Sequence, residues 1–448
     1  MALSLTAFID IEESSLMVTN LPSKPIAKPK SRRKFIWLVL VIGLLYSPKY
    51  LVRSVNHFRS DPYLGFQKLN GVQVPDGPYV EIEKKLLDSQ FKPIDLGQAW
   101  PISVDANGNM ILYINKEKPP SDFPDVPRTG QYLRSSDGKY INIGEDAAQL
   151  TVDGKLVQVT VEKMYDLTFK LNGQKIEPSP IRKSVTEGNM PILFAAANGV
   201  FLNVRYHGNE DEITGFTKSG KKMRLNQEVN LSESMAISAL RKAGIFEAAK
   251  QSVGERSLMT TANGTIYSQS WASSHGLFQD WPANSGRLCV LLDQRFIIVP
   301  ELKDTKINSE MMVTASGKVG LNSVGNCSYL TRPVIYDHGK VTLLPIPHGS
   351  ISADLVGLAD DGSAILQAKH NTAWLFFKGG KLYPMAELLE KGPSGKLKPF
   401  QSYRSEVIKL PEVLAGLRIQ NPMLSDGSIL CQTADERLVL LQRFQRVI

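Results

Sequence analysis

Residues Leu355–Met385 read LVGLADDGSAILQAKHNTAWLFFKGGKLYPM. Four short runs rich in Val, Ile, Leu, Phe and Tyr are joined by two tight turns and one loop, with Asp361 and Gly362 in the first turn and Gly379, Gly380 and Lys381 in the second. Glycine supplies the positive φ of a tight hairpin, and Asp or Asn before it tolerates the same region. The stretch therefore predicts four antiparallel strands in the order strand, Asp-Gly turn, strand, loop, strand, Gly-Lys turn, strand.

The same grammar recurs along the chain. An Asp, Asn or Ser followed by glycine stands between β-rich runs at Gly108, Gly154, Gly199, Gly264, Gly317, Gly362 and Gly427, with spacings of 46, 45, 65, 53, 45 and 65. The second turn returns at Gly138, Gly173, Gly220 and Gly339. The wide spacings call for insertions. One is helical near 232–253, where Ser232 caps a run with Met235, Ile237, Leu240 and Ile245 at helical spacing. The other surrounds Met385–Lys396, a short helix broken by Gly392 and Pro393. Four-stranded units of about 45 residues, repeated seven times, predict an all-β fold, a β-propeller of seven four-stranded blades over 96–448. A β-sandwich, or a pair of them, is the competing architecture, because regular Asp-Gly turns occur there too.

Two of the units carry a resemblance. RPVIYDHGKVTLLP (Arg332 to Pro345) and TAWLFFKGGKLYPM (Thr372 to Met385) resemble the HAF-type extracellular repeats, and LVGLADDGSAILQ (Leu355 to Gln367) is similar to their companion segment. TGFTKSGKKMRL (Thr214 to Leu225) keeps the Phe and the Gly-Lys. Arg332 and Thr372 stand where these repeats often have His. The resemblance implies an exported, propeller-like protein and brings no catalytic residues with it.

Charge places the protein. Of the net +8, nine bases against three acids up to residue 59 account for +6, which leaves +2 for the rest. A nearly neutral body has no footprint for phosphate backbones, so no nucleic acid is expected as a partner. The basic cluster, with Lys30, Arg32, Arg33 and Lys34 at its end, precedes FIWLVLVIGLLYSPKYLV (35–52). Its uninterrupted part runs from Phe35 through Trp37, Leu40, Ile42 and Leu45 to Tyr46. A span to Val52 accepts Pro48 and lets the Lys49 stem reach the headgroups. Six bases before the run against three after it predict a single-pass signal anchor with a cytoplasmic basic tail (1–34) and an extracytoplasmic body. A cleaved signal peptide is the alternative, but Leu44, Leu45 and Tyr46 stand where small residues should be. Residues 53–95 read as a stalk with a strand at Pro78–Glu83.

Signatures of chemistry are weak throughout. Gly215–Lys222 has the spacing of a phosphate loop up to Lys221, but Lys222 replaces the Ser or Thr that holds magnesium, and a hairpin surrounds it. Asp105, Asn107 and Asn109 begin like a calcium loop, yet Met110 occupies the glycine position. The six histidines form no zinc pair, and Cys289, Cys327 and Cys431 are too scattered for a disulfide framework. Asp360, Asp361 and Asp426 read as turn makers. No catalytic residue, cofactor or metal is therefore assigned. The expected function is a membrane-tethered binding or scaffold module for an extracytoplasmic protein, peptide or glycan. The alternative is a propeller hydrolase or lyase on extracytoplasmic polysaccharide or peptide, with its groups gathered at the axis.

Overall fold

The computed structural model describes residues 64–69, 72–84, 91–161, 167–175, 192–196, 199–205, 211–217, 222–224, 250–253, 258–273, 286–303, 305–307, 311–324, 330–369, 372–401 and 419–444. The expected anchor at 35–52 and its basic flank lie outside the described residues. Among the described residues no helix is long and apolar enough to cross a membrane.

The strands fall into consecutive antiparallel meanders. The first sheet is Ala99–Val104, Met110–Ile114, Gly130–Arg134 and Tyr140–Gly144, and the second is Ala147–Leu150, Leu156–Val161, Leu167–Leu171 and Gln174–Lys175. The third is Ile192–Ala196, Gly199–Arg205, Asp211–Thr217 and Lys222–Arg224. The fourth has five strands: Lys250–Val253 and Met259–Thr260 both pair with Ile266–Ser273, followed by Arg287–Leu292 and Arg295–Ile298. The fifth is Met312–Val313, Val319–Val324, Thr331–Asp337 and Lys340–Leu343, and the sixth is Ala353–Leu358, Ala364–Ala368, Trp374–Lys378 and Lys381–Pro384. A closing sheet joins Lys398–Pro399, Ile429–Gln432 and Leu438–Arg443 to Phe91–Asp95. Among the described residues, six of these seven sheets are thus four-stranded and one is five-stranded, beside two small two-stranded sheets that involve residues 66–80.

These sheets stand radially. First strands of consecutive sheets touch, Ala99–Val104 with Ala147–Leu150, that strand with Ile192–Ala196, and Met312–Val313 with Ala353–Leu358. Burial falls outward, from a nearly fully buried Ala99–Val104 to an exposed and half-buried Tyr140–Gly144. The apolar clusters lie between sheets. Ile335, Leu344, Leu355 and Leu366 interlock the fifth with the sixth, and Ile365, Phe376, Val439 and Leu441 interlock the sixth with the closing sheet. Sheets that bury both faces against their neighbours around an axis make a β-propeller.

Each predicted first turn joins the first and second strands of a sheet. The glycines at 108, 154, 264, 317, 362 and 427 all have positive φ, from +80° to +99°. Around Gly154, the Thr151 N–H donates to the Lys155 carbonyl at 2.8 Å, the Gly154 N–H to the Thr151 carbonyl at 2.9 Å, and the Lys155 N–H to Thr151 Oγ1 at 2.8 Å. This three-residue hairpin needs its αL position filled by glycine. Gly199 opens its strand opposite Ala196, and the turn before it lies outside the described residues.

The turns also form a belt at one end of the propeller. The Ala106 N–H donates to the Val152 carbonyl at 2.9 Å, the Ala262 N–H to the Ala315 carbonyl at 2.9 Å, and the Ser316 N–H to Asp360 Oδ1 at 2.8 Å. Away from the turns, side-chain amides bridge to the inner strand of a neighbouring sheet. Asn322 donates from Nδ2 to the Leu355 carbonyl at 3.0 Å and accepts the Leu355 N–H on Oδ1 at 2.7 Å. Asn421 holds both main-chain groups of Leu358, and Gln131 bridges the Asp146 carbonyl and the Ala148 N–H. An innermost strand has an open ladder edge, and the amide supplies the missing partners. Asn322→Leu keeps the volume and leaves Leu355 unpaired at both main-chain groups. At about 1–3 kcal/mol for an unmet buried group, it is expected to cost about 2–4 kcal/mol, read as a lower urea midpoint at unchanged m-value.

Two expectations need correction. The stalk does not run to residue 95, because Phe91–Asp95 is the outermost strand of the closing sheet, in register from Phe91 opposite Arg443 to Asp95 opposite Val439. The last three described strands leave an edge that Phe91–Asp95, far upstream, completes. Further upstream, Tyr79–Val80 pairs in parallel with Ile346–Pro347, and Ile82 bridges to Leu382, so residues 79–82 also lie on the propeller. The helical insertion does not extend to Val253 either, since Lys250–Val253 pairs with Ser270–Ser273 as a strand. Its apolar periodicity ends at Ile245, so nothing local holds 250–253 in a helix against four paired positions of ladder. Residues 232–249 lie outside the described residues. The second insertion is helical at Ala386–Leu389, as expected.

Candidate functional site

The belt of turns puts many carboxylates at one end, and hydrogen bonds within the turns consume them. Asp105 Oδ1 accepts the N–H groups of Asn107 and Asn109 at 2.9 Å, and Oδ2 accepts Asn109 Nδ2 at 2.7 Å, so the calcium-like triplet is a turn cap. Asp426 accepts the Ser428 N–H and hydroxyl. Asp361 does the same for Ser363, and its Oδ2 meets Arg443 Nη1 at 2.8 Å, tying the sixth sheet to the closing one.

Burial alone would raise the Asp361 pKa, but the Ser363 bonds and the Arg443 charge overcome it and hold the carboxyl below the ordinary 3.8. A depressed folded value gives stability that is complete above 3.8 and lost as pH falls through the lower folded value. Because the side chain is 45% exposed, the effect stays within about 1 kcal/mol. Wild type is expected to exceed Asp361→Asn in denaturation midpoint at neutral pH, with the gap closing below pH 4.

The axis is lined by the first strands. Among the described residues these strands carry one carboxylate, Asp354, which accepts the Thr331 hydroxyl at 2.5 Å and lies 3.4 Å from Lys369 Nζ. Their other polar side chains include Ser103, which accepts the Leu150 N–H at 2.8 Å, and Gln149. No group of three or more His, Cys, Asp or Glu gathers among the described residues. Of the histidines, His338 occupies a hairpin turn at φ 46° and His348 packs its ring 6.0 Å from Tyr79, while the other four lie outside the described residues. The phosphate-like loop joins paired strands Asp211–Thr217 and Lys222–Arg224, so a strand directly follows it. Burial pushes the Cys289 thiol up to about 11 and raises that of Cys431 as well, so both stay protonated. Cys327 lies outside the described residues.

Arg134, Asp122 and Tyr140 form a closed cluster. Arg134 Nη2 lies 3.1 Å from Asp122 Oδ2, the Tyr140 hydroxyl donates to Asp122 Oδ1 at 2.8 Å, and Phe123 stacks on Tyr140 at 4.7 Å. This latch pins the long loop of the first sheet to that sheet's outer strand.

Arg332 is different. It sits in Thr331–Asp337, at the end of the fifth sheet opposite the belt, with a relative exposure of 0%. Segment 64–82 crosses over it: Ser323 Oγ donates to the Leu64 carbonyl at 2.8 Å, and the Asp76 N–H to the Gly65 carbonyl at 2.7 Å. A methyl on Gly65 would come within 2.5 Å of Arg332 Cγ, so only glycine lets the backbone lie on the arginine stem. Among the described residues, Nε, Nη1 and Nη2 have no hydrogen-bond partner. Burial pulls the guanidinium down to about 10, against the upward pull of Tyr79 and Asp76, and it stays charged at neutral pH. The sequence signal was its departure from the repeat pattern, a basic residue at a position followed by an apolar run, but nothing in the sequence announces the covering segment.

A scan against protein-family models gives no match, and a search of curated proteins gives none. Among solved structures, the chain is similar to the β-propeller domain of the Trilobed protease from Pyrococcus furiosus, at TM-score 0.37 and 10% identity over 63% of this chain and 82% of that one. It is also similar to YCF48 bound to D1 peptide, at TM-score 0.37 and 12% identity over 82% of this chain and 99% of that one. A third similar structure is a streptogramin B lyase, at TM-score 0.34 and 8% identity over 80% of this chain and 100% of that one.

Proposed function

We propose that this protein is a single-pass, membrane-anchored and exported propeller that binds a protein, peptide or glycan outside the cytoplasm. The five-stranded sheet counts in this reading as one blade with a split first strand, which gives seven blades and makes the units HAF-type repeats. The observation that carries the binding role is the lining of the axis, where the one carboxylate among the described inner strands is already engaged by Thr331 and Lys369. Topology rests on the basic-then-apolar run at 30–52 and the nearly neutral body behind it.

Two measurements test the reading. A periplasmic-type reporter fused to the C-terminus of the full chain is expected to be active and the same reporter at the N-terminus inactive, and the reverse pattern overturns the topology. Full-length protein on polysaccharide and peptide arrays is expected to retain a ligand without cleaving it. Turnover of an arrayed substrate that disappears in Asp354→Asn would establish a hydrolase or lyase instead.

A further inference from the structure

We propose that the Arg332 guanidinium is an anion site for a small monocarboxylate, seated beneath the segment Leu64–Ile82. The inference goes beyond the binding role above and stands whether or not the chain is anchored in a membrane.

Removing a guanidinium from water costs several kcal/mol even after relaxation, and proteins meet that cost by pairing the charge and filling its donors. Here the side chain is fully covered, and among the described residues all three nitrogens are without a hydrogen-bond partner. The stem, by contrast, is packed closely, with the Gly65 backbone against Cγ. The side chain is therefore fixed in place while its head is left unmatched.

The shape and charge of the surroundings choose the ligand. A planar guanidinium fork matches a carboxylate with two parallel N–H···O bonds. Asp76 acts on Arg332 electrostatically, yet it forms no ion pair with it. A carboxylate already nearby disfavours a dianion such as phosphate, and the complete cover disfavours a bulky one. A planar monoanion of formate or acetate size meets both conditions. Admission requires the covering segment to yield, and among the described residues a few hydrogen bonds hold it to the propeller near this point, from Ser323 Oγ to the Leu64 carbonyl, from the Ile346 N–H to the Pro78 carbonyl and from the His348 N–H to the Val80 carbonyl.

The test uses the full-length protein in chloride buffer at constant ionic strength. Sodium formate or acetate is expected to raise Tm by about 2–5 °C, with phosphate giving no more than chloride. Arg332→Met is expected to abolish the carboxylate shift, and so is Arg332→Lys, which keeps a cation but loses the fork and serves if the Met variant fails to fold. Asp76→Asn distinguishes an external carboxylate from the chain's own: the proposal expects the formate shift to persist or grow. A wild type indifferent to formate and acetate overturns the proposal, as does an undiminished shift in Arg332→Lys. An equal response to phosphate overturns the choice of carboxylate.

Discussion

Phe91→Ala is expected to cost about 3–5 kcal/mol, far more than a change in a membrane stalk would. Phe91 is 6% exposed, meets Phe376 edge-on at 5.6 Å, and belongs to the core shared by the sixth and closing sheets. Its loss opens a cavity at the one seam where the two ends of the ring are joined without a covalent link. The expected readout is a lower thermal midpoint together with easier proteolysis between the closing sheet and its neighbours. An unchanged midpoint would mean that the strand from 91 to 95 contributes nothing to closure.

Gly97→Ala is the second substitution with a large expected effect. Gly97 turns the chain from the outermost strand of the closing sheet to the innermost strand of the first, at φ +69°. An added Cβ would lie 2.4 Å from the Lys118 carbonyl oxygen and from the Pro119 carbonyl carbon, both backbone atoms that cannot swing away. The Gly97 carbonyl also accepts the Leu438 N–H at 2.8 Å, so any relief displaces the ladder as well. Strain in αL and the clash together are expected to exceed about 3 kcal/mol, seen as loss of soluble, cooperatively melting protein. Gly379→Ala is the matched control. That glycine also has positive φ, at 57°, but open space surrounds it, so only the smaller conformational cost remains.

What could be read in the sequence was whatever chemistry is local. A positive-φ glycine after Asp or Asn writes its turn into two adjacent residues, and each described turn falls where the glycine spacing put it. The second turns, Gly-Lys at Gly138, Gly339 and Gly380 and Gly-Gln at Gly173, behave the same way, because φ is set within the turn itself. The closing strand was not legible. FKPID is short, carries a proline and two charges, and becomes a strand only because Leu438–Arg443 offers it an edge. The bridging amides Gln131, Asn322 and Asn421 were equally hidden, since a side-chain amide carries no mark of the neighbour whose backbone it will hold. In the sequence Arg332 stands out only as a departure from a repeat pattern. Its significance comes from Gly65, which is remote in sequence and has no pattern of its own.

The seam has one more consequence, and it concerns time. Asp95 and Arg437 meet in an ion pair at 2.5 Å although 342 residues separate them. At about 5–20 residues per second, the strand carrying Asp95 leaves the ribosome roughly 20–70 s before the strand that receives it. Throughout that interval the growing chain is an open fan with an unpaired edge at each end. A product cut short before Leu438 never leaves that condition, so the bare edge itself distinguishes an unfinished copy from a finished one.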